Sequence, residues 1–491
     1  MDSIGFEVVF SFVVWMSHAA YAWYLVWKAS YPYLPRLMDY GATPGWRLLS
    51  ESPKDSTNFE WFIWMEHVSR YLLALVLHAA TLPTVLLCLP GRLVTPALIG
   101  VWLYLNCFAY GSFPVLVAIG YACILFTTFL FFRTAKSLWI VAVLLFLTLN
   151  TRLFTPMTQV QYYLFCVFVT YKLLQFVSYL LFSLSSTKEG SAVGHIPHLL
   201  LYCLYLPYST VLFVTYDQFR CQWLNRRSFE RRNWLSIAWL AIRVLFWTLF
   251  CDLLLHYCFM NAMVQDYEFL QYVSADIACA VVYTAGQFFH AKYVCIFGLF
   301  KVFAHVDGME PAGLPICISR VALYSRIWRH FDRGLYNFLN AHIFHPLSNV
   351  IKHSTTRRVF AGGACFLFVW IFHGQSYSFA IWSFLNFVEM LFEYVGYKID
   401  HRLSVVPALR RILGMACSRR ILALLQLPCI VISVFAIAFF LGGAETGFVF
   451  IRRILIDENL RFQPIFFYLL LLGYFFIQCT MEVERLRPFV S

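Results

Sequence analysis

The chain has 491 residues, of which 61% are apolar or aromatic and 13% charged, with a formal net charge of +12. Ordinary soluble domains carry roughly 25% charged residues, so the composition excludes a water-soluble globular fold and indicates a polytopic membrane protein. The 51 Phe, 29 Tyr and 15 Trp supply bulky walls and interfacial anchors, while 15 cysteines without CxxC or metal-ligand spacing read as small core hydrophobes rather than a disulfide framework.

Phe6 to Trp27 is the first apolar stretch; it has Asp2 and Glu7 near its start and no small-residue cleavage pattern, so it reads as an uncleaved signal-anchor. Tyr71 to Gly91 follows as a second span. Leu93 to Phe132 is a charge-free run of 40 residues, twice the roughly 20 a membrane helix needs. It is expected to cross twice, turning near Gly111-Ser112-Phe113-Pro114. Further apolar stretches lie at 137–151, 159–185, 196–215, 234–262, 272–304, 359–373, 378–397, 421–441 and 463–480, for ten to twelve transmembrane helices in all. Residues 338–350 are too short to span and carry His342, His345 and Pro346, so a re-entrant segment buried in protein is expected. No repeat, low-complexity tract or long linker divides the chain, so residues 1–491 are read as a single all-α membrane-embedded domain.

The positive charge is blocked rather than spread. Arg220 to Arg232 and Lys398 to Arg420 are basic runs that flank spans. They read as cytosolic loops facing anionic lipid, not as a nucleic-acid surface. Cys417, beside Arg419 and Arg420, reads as a buried thiol with S-acylation as the alternative.

Two residues point to chemistry. His373 ends a run, Gly362 to Phe372, that holds no Asp, Glu, Lys or Arg, and a titratable imidazole at membrane depth is a functional-site candidate. Asp332 lies 41 residues earlier, in Trp328-Arg329-His330-Phe331-Asp332-Arg333-Gly334-Leu335. A base and a carboxylate at that depth suggest an enzyme of lipids or lipidation. Each has a bland reading: His373 as helix-helix packing glue, and Asp332 as the partner of Arg329 or Arg333. Glu60 and Glu66 are read as lumenal-rim residues of an amphipathic helix, and Trp328 as belt or core packing.

Several blocks, in order, resemble the membrane-bound O-acyltransferases: Phe288-Phe289-His290-Ala291-Lys292-Tyr293, Val306-Asp307-Gly308-Met309, Cys317, Trp328 to Leu335 with Asn337-Phe338, and Phe372-His373-Gly374. The branch it looks most like is that of the Hedgehog acyltransferases, by Lys54 to Glu66 and by Leu441-Gly442-Gly443-Ala444-Glu445. The resemblance implies a helical fold with a tunnel across the membrane of the endoplasmic reticulum or Golgi, palmitoyl-CoA (an acyl-CoA) as donor, and a secreted acceptor polypeptide whose N-terminal cysteine amine is acylated. By position it makes His373 and Asp332 the catalytic residues and Trp328 a wall of the acyl chamber, and it places Cys317 where the branch has been described with a haem b iron ligand. Cys317 taken alone reads as a small hydrophobe. Two departures bear on the tunnel: Leu206-Pro207-Tyr208-Ser209 lacks the family's glycine, and Ala444 stands where the branch has a polar residue.

Acyl transfer from a thioester needs a nucleophile relieved of its proton and stabilisation of the carbonyl oxyanion. A terminal amine, with a reference pKa of about 7.7–8.0, is already partly neutral near pH 7. The base therefore mainly takes up the proton released during attack. Ester formation on a serine or lipid hydroxyl, and a non-catalytic scaffold of the same fold, are the alternatives.

Overall fold

A computed structural model describes residues 5–49, 51–149, 151, 157–185, 192–349, 355–456 and 461–486. In chain order the helices are α1 (Phe6–Tyr40), α2 (Phe59–Cys88), α3 (Gly91–Tyr110), α4 (Ser112–Phe132), α5 (Ala135–Leu149), α6 (Gln159–Ser185), α7 (Ala192–Leu204), α8 (Tyr216–Leu224), α9 (Trp234–Leu254) and α10 (Met260–Gln265). They continue as α11 (Tyr267–Tyr272), α12 (Ala275–Val306), α13 (Tyr324–Phe331), α14 (Arg333–Leu339), α15 (His345–Asn349), α16 (Thr355–Phe372), α17 (Tyr377–Leu403), α18 (Val405–Ile454) and α19 (Pro464–Leu486). Among the described residues, ten helices are long and apolar enough to cross a membrane.

Side-chain spacing decides which face each helix shows to lipid. On α9, Leu235, Trp239, Ile242, Phe246 and Leu249 recur at helical spacing and are exposed, while Val244, Cys251 and Asp252 point inward. With no water-soluble reason to expose such a stripe, it marks a lipid-facing surface. The interior is built on α6 and α12. Phe165, Phe168, Val169, Leu173, Leu174 and Leu180 of α6 are almost fully buried, as are Val281, Phe288, Cys295 and Ala304 of α12.

The long charge-free run does turn at Gly111, whose φ of 94° favours glycine, and the sequence crosses as α3 and α4. Residues 196–215 do not form the expected span. Here α7 stops at Leu204, a 3-10 turn covers Leu206–Tyr208, and the chain runs on without helix to Thr215. Pro207 has no N–H to continue the ladder. Buried side chains take over the freed carbonyls: Asn106 donates to Leu204 O at 2.9 Å and Gln175 to Tyr208 O at 2.9 Å. Non-helical backbone inside a membrane protein is tolerated on that condition.

The stretch expected to be re-entrant stays helical instead of breaking. A π-helical turn, Asn340–Phe344, joins α14 to α15, and it ends just short of Pro346, whose missing N–H interrupts the regular ladder of the continuous helix. Phe338, Leu339 and Ile343 are buried, so the segment does pack within protein; residue 350 lies outside the described residues.

The polar run 54–66 clamps the start of α2 onto the rest of the bundle. A two-residue ribbon, β1 (Ala42–Thr43) with β2 (Lys54–Asp55), brings it into place. Lys54 Nζ lies 3.0 Å from the Asp252 carboxylate of α9, which also accepts from Trp46 Nε1 at 2.6 Å and Trp61 Nε1 at 3.4 Å. Asp55 accepts from the backbone N–H groups of Asn261 and Ala262, capping α10 at 3.1 and 3.0 Å. Asn58 caps α2 itself through Trp61 N at 3.0 Å.

Candidate active site

His373 immediately follows α16. Its backbone N–H still bonds to Val369 O at 3.0 Å, and Gly374 (φ 103°) then turns the chain. The imidazole is ringed by Phe372, Phe379, Trp382 and Phe440 at centroid distances of 5.3, 5.7, 5.2 and 5.8 Å. It is half-buried, and among the described residues no hydrogen bond to its ring nitrogens is found. A histidine acting as packing glue would spend a ring nitrogen on a neighbouring helix; this one leaves both available.

Asp332 sits at the junction between α13 and α14. Its Oδ1 accepts from Leu335 N at 2.9 Å, so the carboxylate caps α14. Burial pushes the Asp332 carboxyl up to about 6, against the pull of the Leu335 and Gly334 N–H groups. Among the described residues it forms no ion pair with Arg329 or Arg333. Arg333 instead bonds His330 Nδ1 at 3.0 Å. Gly334 permits the position of the capped turn, because a Cβ there would come within 2.2 Å of Phe213 O.

Trp328, one turn before Asp332, packs on Phe366 at 5.0 Å and Trp382 at 6.0 Å, and its Nε1 donates to Asn386 Oδ1 at 3.4 Å. The two sequence-selected residues are thus joined by aromatic walls. One path runs Trp328–Trp382–His373. The other runs from Phe331, beside Asp332, through Phe289 at 5.7 Å and Phe440 at 5.2 Å to His373. No hydrogen bond links Asp332 to His373 among the described residues.

Glu60, in the first turn of α2, turns inward to α12. It forms an ion pair with Lys292 Nζ of α12 and accepts from Tyr293 Oη at 2.9 Å. Lys292 is also 3.3 Å from Asn58 Oδ1 and its side chain is only 3% exposed. Tyr171 of α6 lies within electrostatic reach of both Asp332 and Glu60, and its ring is 5.8 Å from Phe372. Lys292 was the available signal: a buried cation inside an apolar helix demands a carboxylate partner, and Glu60 and Glu66 were among the candidates.

Residues 121–436, more than half of the chain, match the family described as MBOAT, membrane-bound O-acyltransferase. The chain belongs to this family. Membership makes it a membrane acyltransferase. It is 25% identical over 474 residues to protein-cysteine N-palmitoyltransferase HHAT of Mus musculus, covering 92% of this chain and 93% of that protein. It is 29% identical over 327 residues to protein-cysteine N-palmitoyltransferase Rasp of Drosophila melanogaster, covering 65% of this chain and 63% of that one. The match to the fruit-fly protein therefore spans a little under two thirds of its length.

Cys317 stands apart from the chamber. It is exposed and immediately precedes the 3-10 turn Ile318–Arg320. Ile318 and Ser319 line a mostly apolar cavity of about 280 Å³ between α1, α12, α18 and α19, with Tyr283 and Gln287 on its α12 wall. An accessible thiol is a donor that a haem iron can take as thiolate, although Cys317 is not itself among the residues lining that cavity.

Proposed function

We propose that this acyltransferase moves a palmitoyl group from palmitoyl-CoA to the N-terminal amine of a cysteine in a secreted, Hedgehog-like polypeptide, within the endoplasmic reticulum or Golgi membrane. The observation that supports the reading is that the two proton-handling groups, His373 and Asp332, are connected through shared aromatic neighbours without bonding each other among the described residues. The near full-length similarity to a mouse protein-cysteine N-palmitoyltransferase supports the choice of acceptor.

In this reading Asp332, as a carboxylate, receives the incoming terminal ammonium and takes one of its protons, which later passes to solvent, and the resulting neutral amine attacks the thioester carbonyl. His373 takes the proton that the nitrogen sheds as the new C–N bond forms. The C–S bond then breaks, and the coenzyme A sulfur leaves as a thiol once it has regained a proton. Trp328 and Phe440 keep water from the thioester. Cys317 would be the residue to hold haem b, through its sulfur, and such a group would supply a redox-active iron.

The test uses purified chain, labelled palmitoyl-CoA and two peptides, one with a free N-terminal cysteine and one acetylated there. Transfer to the free amine alone is expected. Equal labelling of both would assign ester formation instead, and labelling of neither by well-folded protein would favour a different acceptor or a non-catalytic scaffold.

The raised Asp332 carboxyl sets a pH dependence. Below about 6 it is protonated and cannot hold an ammonium, so kcat/KM for the acceptor peptide should fall about tenfold per pH unit there. Protonation of the acceptor amine gives a separate break near its own reference value of about 8. An unchanged acid limb in Asp332→Asn, measured on its residual rate, would refute the assignment of that limb to Asp332.

A further inference from the structure

Trp328 lies on one short helix, α13, and Asp332 immediately follows its last residue; the first turn of that helix has no cap of its own. The first N–H groups of any α-helix lack partners within it, and a side chain just before the helix usually supplies them. Here that position is Leu323, which makes no such bond. The acceptor comes from another helix: both carboxylate oxygens of Glu393 on α17 accept from α13, one from Tyr324 N and the other from Ser325 N at 3.1 Å. A carboxylate at a helix N-terminus also meets the positive end of the helix dipole.

Glu393 belongs to a stripe on α17. Trp382, Asn386, Glu389 and Glu393 are spaced by 4, 3 and 4 residues and so lie along one helix face. Their contacts run in order. Trp382 packs on His373 at 5.2 Å and on Trp328 at 6.0 Å, and Asn386 accepts from Trp328 Nε1 at 3.4 Å. Glu389 accepts from Ser433 Oγ of α18 at 2.6 Å, tying the stripe to the next helix, and Glu393 holds the start of α13. One helix therefore touches His373 at one end and, at the other, anchors the helix that leads into Asp332.

We propose that Glu393 is a positioning residue for acyl transfer: by capping α13 from α17 it fixes how far along the chamber Trp328 and Asp332 stand from His373. The proposal rests on the acyl-transfer reading above. It does not require Glu393 to meet substrate. A slip of α13 by a fraction of its 5.4 Å turn would spoil alignment, and misplacement of about 1 Å can cost up to a hundredfold in rate.

The experiment compares Glu393→Gln, Leu323→Ser and the double variant in detergent, measuring kcat, the KM for palmitoyl-CoA and monodispersity. Glutamine keeps one acceptor but turns an N–H donor toward a backbone N–H. Serine at 323 offers a local cap, which the extended backbone of Leu323 accommodates. Glu393→Gln is expected to lower kcat about tenfold or more with KM within about threefold, and Leu323→Ser in the same chain to restore most of kcat. An unchanged kcat in Glu393→Gln overturns the proposal. So does a loss that Leu323→Ser leaves unrepaired, which would give Glu393 a role other than capping, and so does aggregation of Glu393→Gln, which would make it a general stability residue. Absence of transfer by the unaltered chain in the same assay would instead sink the acyl-transfer reading.

Discussion

Replacing His373 by alanine is expected to lower the rate of palmitoyl transfer by about 10²–10⁴, the span usually lost with a general base, while leaving the protein monodisperse and its thermal midpoint nearly unmoved. The two halves of that expectation have different origins. The rate loss follows from chemistry: with no imidazole in the chamber, the proton shed by the attacking nitrogen has no acceptor opposite Asp332. The tolerance follows from packing. The ring contacts Phe372, Phe379, Trp382 and Phe440 only through aromatic edges and faces, and no described side chain depends on it for a hydrogen bond. Removing it orphans no buried polar group, which is the usual source of large destabilisation. The measurement is single-turnover transfer to a free N-terminal cysteine peptide beside a thermal melt. Retention of more than a tenth of the rate would remove His373 from the catalytic role, and a collapse of the melt would return it to the packing role a histidine between helices often plays.

What the sequence made legible was the part governed by local pattern. Apolar runs of sufficient length located α3, α4, α6, α9 and α12, and the imidazole singled out in the sequence stands just after α16 within a ring of aromatics. What it hid depended on partners far apart in the chain. The run 196–215 reads as apolar throughout, yet Pro207 stops the helix, and the segment survives only because Asn106 and Gln175 reach its carbonyls from α3 and α6. Glu60 reads as a polar residue at the start of an amphipathic helix; its inward role appears only when α12 brings Lys292 alongside. The Glu393 cap on α13 is invisible for the same reason, since 68 residues separate Ser325 from its acceptor. Glycines were legible as punctuation at Gly111, whereas the close approach of Gly334 to Phe213 had no local signature.

The Glu60–Lys292 pair separates structure from chemistry in the chamber. Glu60→Ala is expected to destabilise the fold by about 3–5 kcal/mol, because it strands a buried ammonium that keeps only Asn58 as a hydrogen-bonding partner. In a chain of this size that should lower the thermal midpoint by roughly 5 °C. Tyr293 Oη loses its acceptor in the same change. Removing both charges is expected to be much milder: in Glu60→Gln with Lys292→Met, the stranded cation is gone, glutamine still accepts from Tyr293, and the methionine fills the space of the lysine stem. Thermal melts of the two proteins should therefore differ, with the double variant the more stable. Equal destabilisation would mean that the pair contributes net stability instead of merely compensating its own burial. Transfer rates then address function. If the double variant melts like the parent and transfers like it, the ion pair is a fastener between α2 and α12. If it melts like the parent but transfers slowly, the charge on Glu60 itself acts on the chamber that Asp332 and His373 share.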